Sequence, residues 1–130
     1  MQKASNTGNN RRIGAFSEDE AVAYMIGNGY EIIERNYHFR RYGEVDIIAK
    51  KDGYICFVEV KSRANNNFGA PSEAITRQKR KRIYLIAKHY ISVNNYTDNN
   101  VRFDAVEIYL THNAEGEYGV KSINLIENAF

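Results

Sequence analysis

An Asp-Gly pair between two runs of alternating apolar residues is the feature that most constrains this chain. Asp52-Gly53 separates Tyr42–Lys50 from Tyr54–Ser62. This dipeptide favours a tight two-residue hairpin turn, because both of its residues tolerate positive φ. With Asp52 and Gly53 as the turn, the register follows. Lys51 faces Tyr54, Ala49 faces Cys56, Ile47 faces Val58, Asp46 faces Glu59, Val45 faces Val60, and Glu44 faces Lys61. Directly opposed residues share a sheet face. One face is then Val45, Ile47, Ala49, Cys56, Val58 and Val60, wholly apolar. The other carries Glu44, Asp46, Glu59 and Lys61, with Ile48 and Phe57 nearer the turn. A slip of one residue would set the charges of one strand on the apolar face of the other, so the pattern itself supports the register.

Around this hairpin the chain reads as alternating helix and strand. Ser17-Glu18-Asp19-Glu20 ahead of Ala21, Tyr24 and Met25 predicts a capped helix start, and Gly27 with Gly29 its end. Tyr30–Phe39 is rich in β-formers. Ala64–Ala70 predicts a loop, Pro71-Ser72-Glu73 a short helical turn, and Thr76 the cap of a long helix reaching about Val93. Val101–Leu110 and Gly119–Ile126 predict two further strands. The expected fold is α/β, a mixed β-sheet with an antiparallel meander, in which the long helix crosses over to a strand parallel to the third one.

Composition sets outer bounds. The 130 residues suit one domain, with residues 1–12 as a disordered tail and 13–130 as the folded unit. No apolar run approaches the ~20 residues needed to span a membrane. The Asn- and Gly-rich start lacks a signal-peptide core, so a cytoplasmic location and no membrane partner are expected. A single cysteine, Cys56, excludes an internal disulfide framework and a cysteine-based zinc site. His38, His89 and His112 have no ligand spacing. The net charge of +2 does not by itself call for a nucleic-acid partner.

The polar face of the hairpin carries the chemistry. Opposed carboxylates have Cβ atoms about 5 Å apart, close enough to repel unless a cation lies between them. A hard divalent ion such as Mg²⁺ takes oxygen ligands, commonly one or two carboxylates plus a substrate phosphate. Lys61 lies two residues from Glu59 and so shares its face. Its ammonium could stabilise developing charge or orient a water. Two readings stand side by side here: a phosphodiester-hydrolysing site, or a solvated polar face with a Glu44–Lys61 surface pair.

Asp46 followed by Glu59-Val60-Lys61 resembles the D…(E/D)-x-K signature of the restriction-endonuclease-like nucleases. More specifically, Gly43-Glu44-Val45-Asp46-Ile47-Ile48-Ala49 and Phe57-Val58-Glu59-Val60-Lys61-Ser62-Arg63 resemble the YraN-type bacterial family, whose relatives include Holliday-junction resolvases. The likeness extends through Ser17-Glu18-Asp19, Phe68-Gly69, Glu73-Ala74-Ile75-Thr76, Arg102-Phe103-Asp104 and Asn128-Ala129-Phe130. It implies a restriction-endonuclease-like sheet flanked by α-helices and a Mg²⁺- or Mn²⁺-dependent endonuclease acting on DNA, branched or otherwise structured. It also implies the roles. Asp46 and Glu59 would be metal carboxylates, with the Val60 backbone carbonyl completing the shell. Glu18 would be the acidic residue of the first helix that approaches the site, and Lys61 the catalytic lysine. Ser17 stands where the family often has glycine, and Val45 where the wider superfamily motif has proline.

Other charges have bland and functional readings. Arg77, Lys79, Arg80, Lys81 and Arg82 crowd the start of the long helix. A charge run is ordinarily a solvated face, but cations at a helix N-terminus also make a phosphate site, so Arg77, Lys79 and Arg82 are expected nucleic-acid contacts. Arg63 continues the Glu59/Lys61 face and is either a further phosphate contact or an ion-pair partner. Glu44 is either an additional ligand or the partner of Lys61. Asp19 and Glu20 suit the helix dipole. Phe68 could stack on a base or simply anchor its loop. Arg102 and Asp104 suit a structural ion pair. A nucleic-acid-binding module without cleavage and a protein-interaction domain are the competing functions. A junction-cutting enzyme would be expected to act as a symmetric homodimer.

Overall fold

A computed structural model describes residues 2–63 and 75–130, with side chains from residue 12 onward. The expected loop at 64–70, with Phe68, and the turn at Pro71-Ser72-Glu73 lie outside the described residues. Helix α1 spans Gln2–Gly27, followed by β1 (Glu31–Phe39), β2 (Gly43–Lys51) and β3 (Tyr54–Arg63). Helix α2 (Arg77–Val93) then leads to β4 (Asn100–His112) and β5 (Tyr118–Ile126). The five strands form one sheet in sequence order. All neighbours are antiparallel except β3 and β4, which α2 joins as a parallel pair. This is the mixed α/β sheet flanked by helices that the sequence implied, consistent with a restriction-endonuclease-like domain. Among the described residues no helix is long and apolar enough to cross a membrane.

Each helix covers one face of the sheet. Ala21 and Met25 of α1 pack with Ile47, Ala49, Cys56 and Val58, while Ile83, Ile86, Ala87 and Tyr90 of α2 pack with Ile48, Ile55 and Phe57. The α2 stripe follows the i, i+3, i+4, i+7 spacing of an amphipathic helix. Full burial of each such large apolar side chain contributes roughly 1.5–3 kcal/mol. Thr76 caps α2 as expected, its hydroxyl accepting a hydrogen bond from the Lys79 N–H at 3.1 Å. The start of α1 differs from expectation. The helix takes in the segment read as a tail, so Ser17 lies inside it rather than at its cap. Ser17 is buried in line with Ala21 and Met25, one helical turn apart along the same stripe.

The hairpin turn follows the sequence reading. Asp52 and Gly53 have φ of 51° and 81°, the pair of positive values that a type I′ turn requires. Lys51 pairs with Tyr54, Ala49 with Cys56, and Ile47 with Val58. The ladder stops there. The further pairs expected between Asp46 and Glu59, Val45 and Val60, and Glu44 and Lys61 are not part of it. Val45 also departs from the expected face: it packs in the α2-side cluster, whereas Ile47 packs on the α1 side. The cause lies in β1. Arg35 pairs with Ile47 and Tyr37 with Val45, so Asn36 lies across from Asp46, and Asn36 has a φ of +52°. That left-handed residue interrupts the alternation of sheet faces. Arg35 and Asn36 both reach Glu18 on α1, and Tyr37 turns to the α2 side.

Candidate active site

Where the ladder ends, side chains take over its hydrogen bonds. The Val60 N–H donates to Asp46 Oδ2 at 2.8 Å, and the Asp46 N–H donates to Glu59 Oε2 at 3.3 Å. Two backbone donors that would otherwise be left without a strand partner are satisfied by carboxylates. The strands thereby hold Asp46 and Glu59 beside each other by reciprocal contacts. The adjacency expected from the register survives through a different device.

Glu59 is 1% exposed. A carboxylate buried to this degree requires a cation. Lys79, in the first turn of α2, supplies it: its Nζ lies 2.8 Å from Glu59 Oε1. The sequence reading set Lys79 among the phosphate contacts, and the structure brings it directly onto the site. Burial works against the Lys79 ammonium, but its hydrogen bond and attraction to Glu59 hold its pKa above the ordinary value. Lys61 sits beside it. Burial, followed by the neighbouring Lys79 ammonium, pushes the Lys61 amine down to about 8. Asp46 moves the other way. Burial, followed by the Glu59 charge, raises its carboxyl to about 7. Two carboxylates and two amines thus share one partly dehydrated site, and the ionisations of Asp46, Lys61 and Lys79 constrain one another.

Asp46 borders two cavities. The one on the α1 side, of about 540 Å³, is lined by Ser17, Glu18, Arg35, Glu44, Val60 and Ser62. The one on the α2 side, of about 480 Å³, is lined by Tyr42, Glu59, Thr76, Lys79 and Arg82. Glu18 therefore faces Asp46 across the first cavity, but it is engaged elsewhere. Its Oε1 accepts hydrogen bonds from Arg35 Nη2 at 3.0 Å and from Asn36 Nδ2 at 2.9 Å. Asp19 joins this pair at 2.7 Å from Arg35. Glu44 does not form the expected pair with Lys61; its ion-pair geometry is with His38, at 3.7 Å. Arg82 rims the second cavity, Arg77 is exposed on the first turn of α2, and Arg63 is half-buried at the end of β3.

The donor set suits a hard divalent cation in part. The available donors are oxygens, and two carboxylates face each other closely enough that the Glu59 charge adds to burial in raising Asp46. Among the described residues no group of three or more acidic, histidine or cysteine side chains gathers around one point. Glu18 would have to leave Arg35 to join the pair. Sequence reasoning missed two features, the Lys79–Glu59 contact and Tyr42 on the cavity wall. The first had a signal: Thr76 as N-cap makes Lys79 a first-turn residue, whose position follows the cap.

The sequence model of "Uncharacterised protein family UPF0102" matches residues 17–108. This stretch holds the hairpin, Glu18 and Lys79. The chain belongs to this family. A UPF0102 protein of Acetivibrio thermocellus is 43% identical over 98% of each chain. One from Clostridioides difficile is 45% identical over 94% of this chain and 99% of its own. Another, from Caldicellulosiruptor saccharolyticus, is 43% identical over 94% of this chain and 99% of its own. Their names carry the family and no activity, so UPF0102 membership fixes the kind of chain without fixing the reaction.

Proposed function

We propose that this UPF0102 protein is a metal-dependent endonuclease that hydrolyses phosphodiester bonds in DNA, acting in the cytoplasm. One observation carries the reading: Asp46 and Glu59 are held side by side, Asp46 bordering both cavities and Glu59 the α2-side one, with Lys61 and Lys79 against them. A purely structural polar face would have no reason to crowd two carboxylates where each other's charge and burial penalise them.

Asp46, Glu59 and the Val60 carbonyl would hold Mg²⁺ or Mn²⁺, with Glu18 approaching from α1, and the ion would supply Lewis-acid charge at the phosphate. The protein's own groups divide the remaining work. Lys61, with its pKa lowered to about 8, can carry or release a proton at Nζ near neutral pH and so orient and deprotonate an attacking water. Lys79 Nζ stands where it can exchange Glu59 for a phosphate oxygen, and Arg82 on the same cavity extends the cationic surface. Arg63 and Arg77 would contact the backbone further out.

The test is a cleavage assay over single-stranded, duplex and four-way-junction DNA, and RNA, with and without Mg²⁺ or Mn²⁺. The wild type should cut only with metal, and Glu59→Ala and Lys61→Ala should lose cutting. Cleavage that persists in both variants overturns the reading. A second reading, a nucleic-acid-binding module with little cleavage, is favoured by one observation: Lys79 already neutralises Glu59, and Arg35 already holds Glu18. Salt-sensitive binding without cutting would select it.

A further inference from the structure

We propose that Tyr42 is a stacking platform for an unpaired nucleobase, so that the strand entering the site is single-stranded at that point. The inference rests on the nucleic-acid reading above and names the substrate class of the same site. Tyr42 is held by a tight turn: its N–H donates to the Phe39 carbonyl at 3.0 Å, Arg40 has a φ of +50°, and Gly43 has a φ of +110°. Only a residue without a side chain adopts the last value readily. The turn therefore presets where Tyr42 stands, at the mouth of β2 and four residues before Asp46.

Tyr42 is the outer ring of a column. It stacks on Phe39 at 5.4 Å and 18°, and Phe39 stacks on His89 of α2 at 3.7 Å and 14°. The column fixes one face of Tyr42 against the protein body, yet the residue remains 42% exposed. An aromatic ring held against a second ring and still substantially exposed meets the requirement for base stacking, at little cost in side-chain entropy. Its surroundings match. Arg40 lies 5.3 Å over the Phe39 ring, Arg41 is exposed beside it, and Tyr42 lines the same cavity as Glu59, Lys79 and Arg82. Aromatic surface interleaved with cations is the pattern that binds single strands. A base on Tyr42 would leave its phosphate within the cavity that holds the two carboxylates. Bases inside a duplex already stack on their neighbours and have no free face to offer, so the site selects unpaired strand, as found in a single strand, a frayed end or a branch.

The experiment is equilibrium binding of a single-stranded oligonucleotide containing the fluorescent base 2-aminopurine, and of the same sequence as duplex. It is run with EDTA and again with Ca²⁺ in place of Mg²⁺. Stacking quenches this fluorophore, so it reports contact directly. The wild type, Tyr42→Phe and Tyr42→Trp should bind the single strand more tightly than duplex and quench the probe. Tyr42→Ala should lose the quench and weaken binding by roughly 5- to 150-fold, the range for one stacked base. A circular-dichroism melt like that of the wild type shows that the variant is folded. Equal affinity for duplex, or undiminished quench and affinity in Tyr42→Ala, overturns the inference while leaving the nuclease reading in place. No binding to any nucleic acid overturns both. Tyr42-dependent capture of a protein with no oligonucleotide binding would show that the platform serves a different partner, and that also overturns it.

Discussion

Two buried carboxylates in this chain are treated in opposite ways. Asp104 is fully buried and fully served: Arg102 Nε donates at 3.0 and 3.1 Å, the Tyr30 hydroxyl at 3.2 Å and the Asn128 N–H at 3.0 Å. Glu59 is equally buried, but it holds one ammonium, one long backbone contact and a second carboxylate as neighbour. Asp104 and its partners tie β4 to Tyr30 just ahead of β1 and to the C-terminal residues. Among the described residues Glu59 is paired with Lys79 alone, at the wall of a cavity. A buried acid with every lone pair engaged is part of the frame, whereas one that faces another acid beside a cavity has the arrangement that the proposed site needs.

The contrast can be broken most directly at the frame. Arg102→Met should leave Asp104 buried without its cation and cost about 3–5 kcal/mol in urea unfolding. A loss below about 1 kcal/mol would mean that the two acids do not differ in kind. Lys79→Met should cost less, about 1–3 kcal/mol, because Lys79 is partly exposed and water screens its pair with Glu59. If Lys79→Met proved the more damaging of the two, the assignment of frame and site would be reversed.

Asp46 sharpens the comparison through its sign. Its folded-state pKa, about 7, lies above the ordinary carboxyl value, so the folded protein keeps a proton that the unfolded chain releases. Its contribution to stability is full below the ordinary value of about 4 and is lost as the pH rises toward 7. The slope is at most about 1.4 kcal/mol per pH unit. Asp46→Asn should flatten that window and leave the protein about 1–2 kcal/mol more stable than wild type at pH 8, while abolishing cleavage. Chemical denaturation at a series of pH values checks this, and an unchanged pH profile would show that Asp46 is not strained by its neighbours.

How much of this was legible beforehand depends on where each contact is decided. The turn end of the hairpin was, because Asp52-Gly53 and the alternation of Ile47, Ala49, Cys56 and Val58 are local signals that agree. That Asp46 and Glu59 meet was legible for the same reason. The reversal of Val45 was not. It follows from the left-handed Asn36 on the neighbouring strand, whose side chain is tied to Glu18 on α1, a contact made only in the tertiary fold. The burial of Ser17 was legible in its spacing from Ala21 and Met25, but the cap signal pointed to a helix start and the helix begins further upstream. Which of the clustered cations would reach Glu59 depended on how α2 docks, and only the Thr76 cap hinted at Lys79.

Glu44 gives the smallest expected effect on stability and for that reason the cleanest separation of roles. It is substantially exposed, and its contact with His38 at 3.7 Å lies near the limit of an ion pair. Glu44→Gln should therefore change unfolding stability by less than about 0.5 kcal/mol. Yet Glu44 borders both cavities beside Asp46. If it completes a cation site there, the same variant should weaken the stabilisation that Mg²⁺ confers, which for the wild type at tenfold excess over the dissociation constant is about 1.4 kcal/mol. A thermal-shift titration with Mg²⁺ measures that difference without requiring turnover. An unaltered titration would exclude Glu44 from the cation's ligands, leaving Asp46 and Glu59 with Glu18 as the candidate carboxylates, and would leave Glu44 to shape the negative potential of the two cavities.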